Sequence, residues 1–330
     1  MSRGVWLLPC ALVAALLIPI VLGGSDLFIQ LRTFPPLFLL SMFGMILLCW
    51  NLNALRLRLL LGFTRINHLR AVGVVMATEF AICATPAGAG GPLTLIALLM
   101  RQGVRPAQGT AIYALEQLAD LLVFTGALLG ILGYGLSTAL DSRLSGLLGA
   151  SAALLTAALV LLGLLGRFHR CLLRGNGRLL ARLGIRLPRR RSWTRKVLGF
   201  RNALRDSLNL PRLLLFGVFL LTAVHWVLRY SVLYLALLGL DSALPWAWTF
   251  VLQMLALTAG QLSLLPGGAG GAELASVALL APLVGKSKAA AAILIWRLVT
   301  YYFYLAAGAP VFVHLVGRPL LKRLVGYRPF

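Results

Sequence analysis

The chain has 330 residues, of which 60% are apolar and only 12% charged, and its mean hydropathy is +0.91. Soluble domains are about 45–50% apolar and about 25% charged, so this composition excludes an ordinary soluble fold and favours an integral membrane protein. The formal net charge of +23 would also suit a nucleic-acid-binding protein, but the positions of the cations along the chain favour a topology signal and no nucleic-acid partner.

Apolar segments of sufficient length are predicted to cross the membrane as helices. A crossing takes about 20 residues, because lipid offers no hydrogen-bond partner to the backbone and a helix satisfies its own groups. The first segment follows Arg3, yet no cleavage site precedes Ser25, so we expect it to be retained. The predicted fold is all-α, a single polytopic transmembrane domain over residues 1–330 with six full crossings: residues 5–24, 35–55, 108–134, 144–166, 213–240 and 288–316.

Two glycine-rich segments interrupt the apolar pattern. The first glycine turn, residues 86–91, reads Pro-Ala-Gly-Ala-Gly-Gly, and the second glycine turn, residues 266–271, reads Pro-Gly-Gly-Ala-Gly-Gly. They agree at five of six positions at an offset of 180 residues. Proline and glycine break a helix, so each segment is predicted to end one helical arm and begin another. The arms are too short for comfortable crossings, which predicts two re-entrant helical hairpins: arms 71–85 and 92–100, and arms 246–265 and 272–284.

The distribution of Lys and Arg supports the hairpins. If both hairpins return to the side that they enter from, 25 of the 31 cations lie on one side of the membrane, including the 14 of the basic loop at residues 167–212. Cations accumulate in cytoplasmic loops, so this loop and both termini are predicted to be cytoplasmic, in the inner (plasma) membrane. Three crossings then separate the two glycine turns, which predicts an inverted repeat with half-repeats at about 35–166 and 213–317.

Six ionisable residues remain within the apolar segments, and each is costly unless it faces the bundle interior and finds a partner. They are Glu79, Glu116, Asp120, Arg229, Glu273 and Arg297. Glu116 and Asp120 are four residues apart and share a helix face, and Glu273 and Arg297 are expected to pair. Inverted repeats of broken helices place the substrate between the repeats. The candidate substrate-binding residues are therefore Gly88, Gly90, Gly91, Glu116, Asp120, Arg229, Gly267, Gly268, Gly270, Glu273 and Arg297, with no catalytic residue, metal or cofactor expected.

Two structural interpretations compete with this site. Glycines also serve as surfaces on which helices pack closely, without binding a ligand. A buried ion pair likewise has a purely structural interpretation. Both alternatives remain open at the level of sequence.

The sequence resembles the transmembrane region of lysylphosphatidylglycerol synthase over nearly the whole chain. The matching features are the Leu-Arg-Leu-Arg stretch at 55–58, both glycine turns, Glu116 with Asp120, Glu273, and Arg297 with Gly308. The chain departs from the family pattern at Gln117, where Arg is frequent, and at Gly91-Pro92, where a carboxylate often follows the turn. In the two-part synthases this region is associated with moving aminoacylated phospholipid between leaflets, while a soluble domain makes that lipid. No such soluble domain is expected within residues 1–330.

The resemblance and the predicted inverted hairpins favour a flippase-like translocase of a phospholipid or polyprenyl-type lipid, with membrane lipids as its partners. No P-loop motif is present, so ATP is not the expected energy source. One alternative is a membrane-embedded lipid-modifying enzyme that uses Glu116 and Asp120 as acid and base or as metal ligands. Another is a scaffold that binds a separate lipid synthase at its cytoplasmic basic loop.

Overall fold

A computed structural model describes residues 7–137 and 187–317, together with a few positions between 149 and 161. Every regular element in these ranges is helical, which confirms the predicted all-α class. In chain order the helices are α1 Leu7–Gly23, α2 Asp26–Thr33, α3 Pro36–Leu61, α4 His68–Ala84, α5 Gly90–Arg101, α6 Pro106–Ser137, α7 Leu187–Leu208, α8 Arg212–Leu238, α9 Trp246–Leu262, α10 Gly271–Val284 and α11 Lys286–Gly317.

Among the described residues, four helices are long and apolar enough to cross a membrane: α3, α6, α8 and α11. They coincide with the predicted crossings at 35–55, 108–134, 213–240 and 288–316. The predicted crossing at 144–166 lies largely outside the described residues. The length and composition of the four helices agree with a polytopic membrane protein, whereas six crossings and an inverted orientation of the repeat stay predictions.

The predicted first crossing, at 5–24, is interrupted at its C-terminal end. α1 has 17 residues and ends before Gly24, whose φ of 66° turns the chain, so that α1 and α2 meet at 106°. The two helices reach the length of a span only if they are counted together. Glycine at this position allows the bend because a positive φ is unfavourable for residues with a Cβ atom.

Within the predicted basic loop at 167–212, the structure describes a helix, α7, in the second half. Arg and Leu are good helix formers, and long basic side chains do not prevent a helix at a solvated surface. α7 packs against α6, and Gly199 of α7 lies beside the methyl group of Ala107. Both helices belong to a compact unit that spans Gly103–Ala223.

The second compact unit combines Met1–Gln102 with Val224–Phe330, and α11 is its central helix. In the apolar part of α11, 72% of the residues are buried, against 22–33% in α3, α6 and α8. α11 packs against α1, α2, α4 and α10. Gly308 permits the contact with α4, since a Cβ atom there would lie 3.0 Å from the carbonyl oxygen of Met76. Two turns of α11 are π-helical, at Leu298–Tyr302 and Val313–Gly317.

Candidate functional site

The two glycine turns share the backbone conformation of their first half, and they diverge at Gly270, whose φ of 81° has no counterpart at Gly90. The N–H group of Gly88 donates to the carbonyl oxygen of Thr85 at 3.2 Å, and at the equivalent position the N–H group of Gly268 donates to Leu265 at 3.0 Å. The next hydrogen bond is also repeated: the N–H group of Ala89 donates to the carbonyl oxygen of Pro86, and that of Ala269 to Pro266, each at 3.2 Å. Gly88 and Gly268 have φ values of 69° and 68°. The repeat in sequence is therefore a repeat in local structure.

Each glycine turn reverses the chain, so that the arms pack against each other as predicted. α4 contacts α5 around the first turn, and α9 contacts α10 around the second. A Cβ atom at Gly91 would lie 2.3 Å from Cγ1 of Ile82, and one at Gly271 would lie 2.9 Å from the carbonyl oxygen of Ala259. These close approaches confirm two helical hairpins. The side of the membrane from which each enters stays a prediction.

The tips of the hairpins meet, but their environments differ. Pro86 and Pro266, which are equivalent in the repeat, form an isolated antiparallel β-bridge. In the first turn Pro86, Ala87 and Ala89 are exposed. In the second turn the corresponding part of the chain, Pro266 with residues 268–270, is buried. The two turns thus form one paired structure with an open half and a covered half.

A buried ion pair supports the second turn. Nε of Arg297 lies 2.7 Å from Oε1 of Glu273, and their side chains are 3% and 0% exposed. Nη1 of Arg297 also donates to the carbonyl oxygen of Gly267 at 3.3 Å. The predicted pairing of Glu273 with Arg297 is confirmed, and the pair is buried more completely than the sequence suggested. The ion pair joins α10 to α11 and anchors the backbone of the turn.

Tyr301 of α11 packs on the same turn. Its hydroxyl group donates to the carbonyl oxygen of Pro266 at 3.2 Å. A Cβ atom at Gly267 would lie only 2.1 Å from the Tyr301 ring, so this position requires glycine for space as well as for its φ of 62°. Tyr301 therefore shapes the second turn, although no sequence motif marked it.

A second ion pair, which the sequence did not predict, lies beside the first hairpin. Nη1 of Arg229 on α8 is 3.5 Å from Oε2 of Glu79 on α4, with side chains 19% and 14% exposed. The same nitrogen donates to the hydroxyl oxygen of Tyr304 at 3.0 Å. Each hairpin is thus associated with one carboxylate and one arginine.

The remaining predicted site residues, Glu116 and Asp120, lie on α6 within the other compact unit. Glu116 is buried, and Asp120 accepts a hydrogen bond from the side chain of Gln117 at 3.0 Å. Gln117 in turn accepts one from the hydroxyl group of Tyr113 at 3.1 Å. Their placement on one helix is as predicted. Their participation in a common site with the glycine turns stays a prediction.

The glycines differ in how much space surrounds them, which bears on the close-packing alternative. A Cβ atom added at Gly90 would lie 2.9 Å from the carbonyl oxygen of Ala81. A Cβ atom added at Gly268 would lie 3.0 Å from backbone atoms of Gly260. Close packing is therefore an established role at these positions. Gly270 is less crowded, because the nearest atom to its Cβ position is at 3.7 Å. At Gly88 the nearest atom would be Cγ2 of Ile82, at 3.2 Å. Within the described ranges, no three His, Cys, Asp or Glu residues are grouped as a metal site.

Comparisons with known proteins agree with this architecture. The family model of the lysylphosphatidylglycerol synthase TM region matches residues 6–308, which include both hairpins, both ion pairs and α6. A UPF0104 membrane protein of Archaeoglobus fulgidus is 25% identical over 272 residues, which cover 79% of this chain and 81% of that protein. The match to the family extends over most of the chain. The chain therefore belongs to the family of the lysylphosphatidylglycerol synthase transmembrane region.

Proposed function

We propose that this protein is a lipid translocase of the cell (plasma) membrane, which moves a phospholipid or polyprenyl-type lipid between leaflets. The observation that carries the proposal is the paired arrangement of the glycine turns. Two equivalent turns touch at Pro86 and Pro266, one exposed and one buried, and each lies beside a carboxylate–arginine pair. A transporter that alternates between leaflets needs two related gates in different states, and this pairing offers them.

The chemistry of the ion pairs suits a phosphate-containing headgroup. A guanidinium binds phosphate as well as carboxylate through charge-assisted hydrogen bonds, so a lipid phosphate competes with Glu79 for Arg229 and with Glu273 for Arg297. Exchange of one anion for another keeps each arginine paired, which avoids the large cost of a lone charge inside the membrane. The lipid tails stay in the bilayer while the headgroup moves along the paired turns.

The first turn provides the access that such a substrate needs. Its exposed residues are small, and Gly88 and Gly90 present backbone rather than side chains to a passing headgroup. Arg229 is the more exposed of the two paired arginines, at 19% against 3% for Arg297. We infer that the state described here admits substrate at the first turn and excludes it from the second, with cytoplasmic termini and the first turn opening to the cytoplasmic side.

The test is translocation of fluorescent lipids in vesicles that contain the purified protein, with chemical quenching of the outer leaflet. Lipids with phosphatidylglycerol, phosphatidylethanolamine and polyprenyl phosphate headgroups identify the substrate. Ala89→Leu places bulk at the exposed tip of the first turn, where φ is −60° and a side chain is tolerated. We expect it to slow translocation by at least about tenfold, or about 1.4 kcal/mol in the barrier.

Ala97→Leu is the matched control, because Ala97 is also exposed on α5 but lies two helical turns beyond the tip. It should translocate at the wild-type rate. A wild-type rate for Ala89→Leu would overturn the role of the first turn, and a wild-type protein that moves none of the three lipids would overturn translocation itself. Gly268→Leu is a poorer probe, since the contact with the Gly260 backbone makes misfolding the expected result.

A further inference from the structure

A polar cluster outside the glycine turns lies between α3 and α8. Nδ2 of Asn53 is 3.3 Å from Nε2 of His225, and the Cys49 thiol donates to the carbonyl oxygen of His225 at 3.6 Å. Asn53 is 7% exposed, His225 is 3% exposed and Cys49 is fully buried. These residues occupy one face of α3 and contact α8 one helical turn before Arg229.

The cluster contains polar atoms that the protein does not satisfy. Oδ1 of Asn53, Nδ1 of His225 and Nε1 of the neighbouring Trp50 have no hydrogen-bond partner among the described residues. A buried polar atom without a partner is costly, and three such atoms within one turn of α3 and the contacting part of α8 are unusual in a folded protein. Buried water is the ordinary partner of such groups, and donors and acceptors are both present to hold it.

The cluster also continues toward the Glu79–Arg229 ion pair. Arg229 follows His225 by four residues on α8, a rise of about 6 Å, so both lie on one face of that helix. The Trp50 ring packs edge-on against Tyr304 at 5.3 Å, and Tyr304 accepts a hydrogen bond from Arg229. The cluster therefore approaches the ion pair along α8 and through the contact of Trp50 with Tyr304.

We propose that Asn53 and His225 bind water and form a proton path to the carboxylate of Glu79, which deepens the proposed function and rests on it. Water held by Nδ1 of His225 and Oδ1 of Asn53 passes one proton to Glu79 and takes up one from the water behind it, so that the bulk supplies the proton and the bound water is restored. Glu79 becomes a carboxylic acid, and Arg229 loses its anionic partner. The freed guanidinium then binds the lipid phosphate, which couples headgroup capture to the uptake of one proton.

The charges around His225 favour a ring that stays neutral and orients the bound water. Arg56 follows Asn53 by three residues on α3, Arg229 follows His225 by four on α8, and Glu79 of α4 is the nearby anion. Two cations oppose a lasting positive charge on the imidazole, whereas Glu79 attracts the proton onward. Cys49, Asn53 and Tyr304 are neutral and complete the surroundings.

Infrared spectroscopy of the protein in lipid vesicles tests the path without relying on transport. After a rapid drop in pH, protonation of Glu79 appears as a carboxylic acid C=O band, which Glu79→Gln identifies by removing it. We expect His225→Phe and Asn53→Leu each to slow the rise of this band by at least about tenfold. His68→Phe is the matched control, because His68 is only half-buried and its Nε2 lies 2.9 Å from Oδ1 of Asn51, away from His225.

Bound water is measured separately, by magnetisation transfer from water to ¹⁵N-labelled histidine rings in solid-state NMR. His314, which is exposed, gives the positive reference, and the signal of His225 is assigned by its loss in His225→Phe. A His225 ring without water transfer, or a Glu79 band that rises at the wild-type rate in both variants, overturns the proton path. Lipid translocation by the same preparations is an independent measurement, so failure of the proposed function is distinguished from failure of the path.

Discussion

The hydroxyl group of Tyr301 donates a hydrogen bond to the carbonyl oxygen of Pro266, the residue that pairs with Pro86 across the two turns. Tyr301→Phe removes this hydrogen bond and keeps the ring that packs on Gly267. We expect a loss of stability of about 0.5–1.5 kcal/mol and a change in the translocation rate. Tyr302→Phe is the control, because its hydroxyl group bonds Leu12, away from the turns. Equal translocation by both variants would argue against a role of Tyr301 in the second turn.

The Glu273–Arg297 pair should tolerate removal of one partner poorly. Glu273→Gln or Arg297→Gln leaves one charge buried, and such changes typically cost about 3–5 kcal/mol. Thermal unfolding in mild detergent measures the loss. Glu79→Gln should cost less, because the Glu79–Arg229 pair is longer, at 3.5 Å, and more exposed. The charge swap Glu273→Arg with Arg297→Glu should recover part of the lost stability, and no recovery would contradict direct pairing.

Crowding at the second hairpin predicts which glycines are required for packing. At Gly271 a Cβ atom would lie 2.9 Å from the carbonyl oxygen of Ala259, and backbone cannot move aside easily. We expect Gly271→Ala to lower the free energy of unfolding by about 1–3 kcal/mol. Gly44→Ala on α3 is the control, since nothing lies within 4 Å of its Cβ position. The Gly44 variant should match or slightly exceed the wild type, and equal stability of the two variants would contradict the packing role.

The sequence predicted most of the helical pattern, because long apolar runs and helix-breaking residues are local signals. Both hairpins begin and end within a few residues of the predicted arms. The bend at Gly24 and helix α7 were missed for opposite reasons. Gly23-Gly24 follows an apolar run that is long enough to cross the membrane, so length alone suggested a simple crossing. The many cations of α7 suggested a loop, although Arg is a good helix former.

The site was predicted less completely, because ion pairing depends on tertiary contacts. Glu273 and Arg297 were paired from their similar depth in neighbouring segments. Glu79 and Arg229 are 150 positions apart on helices α4 and α8, and no spacing rule connects them. In the sequence, Glu79 and Arg229 are each a lone charge in an apolar helix. Such a charge requires a partner, but the sequence does not identify which residue it is. The spacing of four residues places His225 and Arg229 on one face of a helix, but nothing in the sequence connects His225 with Asn53.

Membrane topology is tested with single cysteines at Ser192, Ser137 and Ser242, in a background without the four native cysteines. Ser192 lies on α7 in the strongly basic segment, so we expect it to react with an impermeant thiol reagent only after the membrane is opened. Ser137 and Ser242 should react in intact cells. Labelling of the Ser192 position from outside would contradict the cytoplasmic assignment of the basic segment and of the termini.

The π-helical turn of α11 at Leu298–Tyr302 determines which residues the side chains before and after it contact. Arg297 precedes the turn and contacts Glu273, whereas Tyr304 follows it and contacts Arg229. Each residue of an α-helix rotates the next by about 100°, so the wider turn resets the rotation between these two side chains. Deletion of one residue there would shift Tyr304 around the helix axis. The helical register of α11 thereby fixes two contacts at once, the ion pair that supports the second turn and the hydroxyl partner of Arg229.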